Sequence, residues 1–149
     1  MKKLASVLVA LSVLAMAAPI AGAVDVGVIV GEPTGLSLQF GGRGDNALNL
    51  ATGWSLSEEE WLYVHADYVF LTLVHTDELD EGIPFYYGFG GRVVILDDDS
   101  RVGARLPLGL QYETGDMPLT FFIEVAPILD LVPDTEFGVA GGLGVRFAL

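Results

Sequence analysis

Between Arg101 and Tyr112 the chain reads RVGARLPLGLQY, and every second residue is apolar: Val102, Ala104, Leu106, Leu108, Leu110 and Tyr112. Between them stand Arg101, Gly103, Arg105, Pro107, Gly109 and Gln111. A period of two belongs to a strand, whose side chains alternate between two faces. The same division runs from Phe137 to Leu149. There Phe137, Val139, Gly141, Leu143, Val145, Phe147 and Leu149 oppose Gly138, Ala140, Gly142, Gly144, Arg146 and Ala148. A sheet with one greasy face and one small or polar face must keep the greasy face from water, inside a barrel or against a bilayer.

Residues 1–23 stand apart from this pattern. Lys2 and Lys3 precede an apolar run from Leu4 to Ala18, and Ala21-Gly22-Ala23 follows. That order is the one of a secretory signal peptide, with cleavage expected after Ala23. The run is short for a bilayer span of about 20 residues, and Pro19 interrupts its end. The expected mature chain, Val24 to Leu149, is a single domain with five arginines against twenty acids, a formal charge of −15. Such an acidic chain has no basic footprint for nucleic acid. Yet the full 149-residue chain is 52% hydrophobic, so acids and apolar side chains must be segregated. With no cysteine, the strand ladder alone must hold the fold.

The period of two predicts eight strands, at about 24–31, 35–42, 46–56, 61–73, 84–96, 101–112, 118–130 and 136–149. Acidic, turn-forming stretches separate them: EPT, RGD, SEEE, VHTDELDEGI, DDDS, ETGDM and LVPDT. The bulky parity carries no charge, and the other collects Asp25, Gly27, Ser37, Gln39, Asn49, Gly53, His65, Asp67, Gly88, Gly90, Arg92, Thr120, Glu124 and Asp130. Two closed architectures fit. A soluble, lipocalin-like periplasmic barrel turns the bulk inward around an apolar ligand, and a membrane barrel turns it outward. An eight-stranded barrel has an interior just wide enough for side chains to fill, which suits the small face and not the aromatic one. Several segments also reach the 9 to 11 residues of a tilted membrane-crossing strand. The expectation is an all-β, eight-stranded antiparallel up-and-down transmembrane barrel, exported and monomeric.

The whole mature chain resembles the small eight-stranded outer-membrane barrels, the class that includes OmpX and the OmpA transmembrane domain. Its C-terminus carries a more local likeness to the strand that barrel insertion machinery reads, in which glycine stands six places from the end, an apolar residue third from the end and an aromatic last. Gly144 and Phe147 match; Leu149 is apolar but not aromatic, and Gly142 stands where a polar residue is usual. The resemblance implies an outer-membrane location in a Gram-negative envelope, lipid and the insertion machinery as partners, and both termini on the periplasmic side. The first, third, fifth and seventh connections would then face outward, all short, with the longest, around Val74 to Ile83, inside.

Arg92, Arg105 and Arg146 fall on the inward parity, where an unpaired charge costs several kcal/mol. Acids must accompany them. If DDDS is a four-residue hairpin loop, Leu96 pairs with Arg101 and Arg92 comes opposite Arg105. If Glu113 to Asp116 is another, Arg105 comes opposite Glu124. Arg92, Arg105, Glu124 and Asp67 would then plug the lumen, giving a structural protein or a narrow, porin-like channel. His65 and Asp67, two apart on one strand, share a face and suggest an orienting pair for a base. Lipid-modifying enzymes exist on barrels of this size, and one deacylase family has a His and a Ser two residues apart. Here the pair is His65 and Asp67, with Ser55 a candidate from the neighbouring strand. Catalysis needs nucleophile, base and orienter together, so a hydrogen-bonded lumen histidine is the expected role and no enzyme or cofactor is expected. The loop HTDELDE clusters His75, Asp77, Glu78, Asp80 and Glu81; hard cations favour such oxygens, but Leu79 breaks the EF-hand order. Glu58 to Glu60 and Asp97 to Asp99 form further acidic tips that divalent cations could bridge to lipid phosphates.

Overall fold

A computed structural model describes residues 24–41, 45–54, 61–96, 100–132 and 134–149, with the backbone alone for Trp54 and residues 79–81. The expected signal peptide, Ser55 and the acidic tips at 58–60 and 97–99 lie outside the described residues.

Nine strands form one antiparallel ring, and no helix occurs among the described residues. They are β1 (Val24–Gly31), β2 (Gly35–Phe40), β3 (Asn46–Trp54), β4 (Leu62–Thr76), β5 (Leu79–Ile95), β6 (Ser100–Arg105), β7 (Leu108–Glu113), β8 (Leu119–Val132) and β9 (Glu136–Ala148). Sequence neighbours pair, except β6 with β7, and β9 returns to β1. The single strand expected over 101–112 is broken at Leu106-Pro107. Pro107 has no N–H to give a ladder. Its two pieces, β6 and β7, nonetheless lie end to end between β5 and β8. Leu106 N donates to Pro127 O at 3.0 Å and Pro107 O accepts from Gly88 N at 3.1 Å, which bridges the break.

The ring closes with a stagger. Asp25 pairs with Gln39, and partners followed onward run Asn49, Asp67, Gly90, Arg105, Ile128 and Gly138. In the other direction Asp25 pairs directly with Ala148, ten residues further along β9 than Gly138. This shear tilts every strand against the axis of the ring.

Contacts across the ring identify the inner face. Gln39 of β2 donates to Gln111 of β7 at 3.4 Å, and Arg146 Nε of β9 reaches Ser37 Oγ of β2 at 2.9 Å. Ile29, Ala51 and Phe122, from β1, β3 and β8, meet in one buried cluster. The small and polar parity is therefore inside, and the bulky parity outside. Phe89, Ile123 and Leu143 are more than half exposed. On the β2–β3 wall, by contrast, Phe40 and Leu50 are buried in a cluster with Val24, Leu38 and Leu48.

The long loop expected around Val74 to Ile83 does not form. β4 runs on to Thr76 and β5 begins at Leu79, so Asp77 and Glu78 make a two-residue turn at the tip of an extended hairpin. Strand alternation puts this tip at the end of the ring where β1 begins.

Candidate functional site: a charge-paired lumen

Glycine makes the room in which the interior is built. A Cβ at Gly90 would strike Asp67 Oδ1, one at Gly103 would strike Asp130 Oδ1, and one at Gly109 would enter the Tyr86 ring. Each glycine sits on a neighbouring strand, beside the side chain it admits.

Arg105 occupies the centre, with 1% of its surface exposed. Its Nη2 donates to Glu124 Oε2 at 2.7 Å, and its Nη1 donates to Tyr63 Oη at 3.0 Å. Nη1 also lies 2.9 Å from His65 Nδ1. A guanidinium can only donate, so Nδ1 must accept and the ring proton belongs on Nε2, which faces Asp67 Oδ2 at 3.6 Å. Arg105 Nε stands 3.0 Å from Asp67 Oδ1, but neither atom completes a hydrogen bond, so Asp67 is held by charge rather than by alignment. Tyr86 Oη donates to the other Glu124 oxygen at 3.0 Å.

The other two arginines find different partners. Arg92 makes a bidentate pair with Asp130, Nε to Oδ1 at 3.0 Å and Nη2 to Oδ2 at 2.7 Å. Arg146 donates to Ser37 and lies with its guanidinium carbon 3.9 Å from the centroid of the Phe122 ring, while its Nη1 has no hydrogen-bond partner. Towards β2 and β3, Gln39 donates to Asn49 Oδ1 at 2.8 Å. Asp67, Glu124 and Asp130 thus offset arginine charge in the interior, with Asp25 also on the inward parity of β1.

All six residues expected in the lumen, His65, Asp67, Arg92, Arg105, Glu124 and Arg146, face inward, and four of them, His65, Asp67, Arg105 and Glu124, form one network. The expected pairings differ. Arg92 lies opposite Gly103, Arg105 opposite Gly90 and Ile128, and Glu124 opposite Gly109. The loop after β5 begins at Leu96, which shifts the β5–β6 register by two residues. Arg92 consequently leaves the expected cluster for Asp130. The expected lumen of small residues and a few charges is also too simple, because Tyr63, Tyr86, Phe122, Val69 and Ile128 are buried inside it. Their position on the inward parity was the available signal.

His65, Asp67 and Glu124 have ligand atoms within 4.8 Å of one another. The Arg105 guanidinium already contacts all three, and a second cation there would meet its charge. Asp77 and Glu78 are exposed at the hairpin turn; Asp80 and Glu81 lie on β5 with side chains outside the described set. At the C-terminus, Gly144 faces inward between β1 and Phe122, Phe147 faces outward opposite Val26 and Leu119, and Leu149 N donates to Val24 O at 3.0 Å.

Comparison with protein-family models, curated proteins and solved structures finds no match to this chain.

Proposed function

We propose that this protein is a monomeric, integral outer-membrane β-barrel of eight staves, with β6 and β7 counted as one, and that its lumen is closed by the arginine–acid network. Its role on this reading is structural and non-enzymatic. The observation that carries the reading is the sorting of side chains: charge-paired groups inside, and a wide apolar surface outside. Val28 and Val30 of β1, Phe89 of β5, Ile123 of β8, and Val139 and Leu143 of β9 are all at least half exposed. Water-soluble monomers rarely expose apolar patches above a few hundred Å².

Dimensions support it. A ten-residue stagger at about 3.4 Å per residue, set against eight strand spacings of about 4.8 Å, gives a tilt of about 40°. Phe137 and Phe147 lie ten residues apart on β9, both outward and exposed. At that tilt they stand about 25 Å apart along the axis, the height of the apolar band in barrels of this kind. Near the end where β1 begins, Phe70, Phe85, Tyr87, Tyr112, Phe121 and Phe147 face outward, and the Phe70 and Tyr87 rings, tilted by 35°, have centroids 5.6 Å apart. Such an aromatic girdle suits a membrane–water interface. Closure satisfies the backbone where lipid offers no partner.

The soluble reading needs an apolar cavity inside, and the interior is filled instead by Arg105, Asp67, Glu124 and their partners. The test is cell fractionation with gel mobility before and after heating. The reading predicts outer-membrane recovery and a heat-modifiable band. A protein that stays monomeric in detergent-free buffer overturns it.

A further inference from the structure

We propose that a cleft between β5 and β7 is a binding site for the hydrocarbon chain of a membrane phospholipid, entered sideways through the wall. The inference rests on the reading of the outer face as lipid-facing.

Among the described residues β5 and β7 pair at three positions: Phe85 with Leu110, Tyr86 with Gly109 and Tyr87 with Leu108. Continued, the ladder would set Pro84, Ile83 and Gly82 against Gln111, Tyr112 and Glu113, but it stops at Phe85. Proline in a strand belongs at an edge, since it gives no ladder hydrogen bond. Gly82 has a φ of 78°, a left-handed conformation that bends the strand away. β5 keeps its pairing with β4 instead, as far as Thr76 with Leu79. The ring is unzipped here, at the end where β1 begins.

A cleft of about 600 Å³ occupies the gap, within the range of small-molecule sites. Its lining joins the two faces of the wall: Leu110, Phe121 and Ile123 from outside, Gln111 and Phe122 from inside. Continuous ladder would separate those faces, so the cleft passes between them. Its outer lip, Leu110, Phe121 and Ile123, continues the apolar surface of β7 and β8 at the level of the aromatic girdle, so on the membrane reading the ends of lipid chains at that boundary reach the cleft. Apart from Gln111 and, at the hairpin tip, Glu78, the lining is largely apolar; it gives water few partners, while a hydrocarbon chain covers it.

The test uses the full protein in phosphatidylcholine vesicles whose lipid carries a photoactivatable diazirine in the acyl chain, with labelled residues mapped by mass spectrometry. Label is expected on Val139 and Leu143 of the outer wall and also on the inward-facing Gln111 and Phe122. In Ile83→Trp, which fills the mouth of the gap, label on Gln111 and Phe122 is lost and label on Leu143 remains, the latter reporting an intact barrel. Label on Val139 and Leu143 alone in the unaltered protein overturns the cleft site and leaves the membrane reading standing. No label at any of the four positions overturns both. Label on Phe122 that persists in Ile83→Trp overturns entry through this gap.

Discussion

Arg105 of β6 holds Glu124 of β8 at 2.7 Å although the two are not ladder partners: Arg105 lies opposite Ile128, and Glu124 opposite Gly109. The long guanidinium side chain covers the four-residue offset along β8. The ion pair therefore ties two levels of the barrel together, and the same guanidinium reaches β4 through Tyr63, His65 and Asp67.

Removing Arg105 should be the most damaging single change in the lumen. Arg105→Met strands Asp67 and Glu124 as buried, unpaired acids, which costs about 3–5 kcal/mol. Urea unfolding of the refolded protein measures it. Adding Asp67→Asn and Glu124→Gln to Arg105→Met should recover a large part of the loss, because no unpaired charge is then left. A triple variant as unstable as Arg105→Met would contradict the assignment of that loss to stranded charge.

Arg92 and Asp130 test the effect of depth. Unlike the central one this pair is bidentate, and it is more exposed, with 13% and 9% of the side chains accessible. Asp130→Asn leaves one largely buried arginine unpaired where Arg105→Met leaves two acids, so it should cost clearly less than Arg105→Met. The same unfolding experiment ranks the two.

Gly109 should behave as a space-maker for Tyr86. Gly109→Ala pushes a Cβ into the tyrosine ring, and overpacking of this kind costs about 1–3 kcal/mol. Tyr86→Ala removes the ring, so the double variant should show strong non-additivity. Additive losses would mean that the two residues do not compete for one space.

Metal should not matter to stability. Among the described residues, the three groups with suitable spacing, His65, Asp67 and Glu124, are engaged by Arg105. Thermal unfolding with EDTA and with added Zn²⁺ should give the same midpoint. A rise with Zn²⁺ would show that the guanidinium can be displaced.

The period of two was legible because each strand separates two environments, so every second residue reports its surroundings. Parity alone found Asp67, Arg105 and Glu124. Register was not legible, since it depends on where each turn begins; the hairpin after β5 starts at Leu96 and shifts every β5–β6 pair by two. A shift of two keeps each side chain on its face, which is why the inner residues survived while the Arg92 pairing did not. Val74 to Ile83 read as a loop because this hairpin projects past the ring, where exposed strands carry no burial pattern to read. Tyr63, Tyr86 and Phe122 were missed as lumen residues because bulk was assigned to one face only.

The central claim is that the outer face meets lipid and the inner face is packed shut. The chain has no cysteine, so single cysteines can be placed along β8 at Ile123, Val125 and Leu129 and at Ala126 and Ile128, then spin-labelled in phospholipid vesicles. The first three should collide readily with oxygen dissolved in the bilayer and poorly with a water-soluble nickel chelate, while Ala126 and Ile128 should be shielded from both. Strong contact of Ile123, Val125 and Leu129 with the nickel chelate would contradict the account.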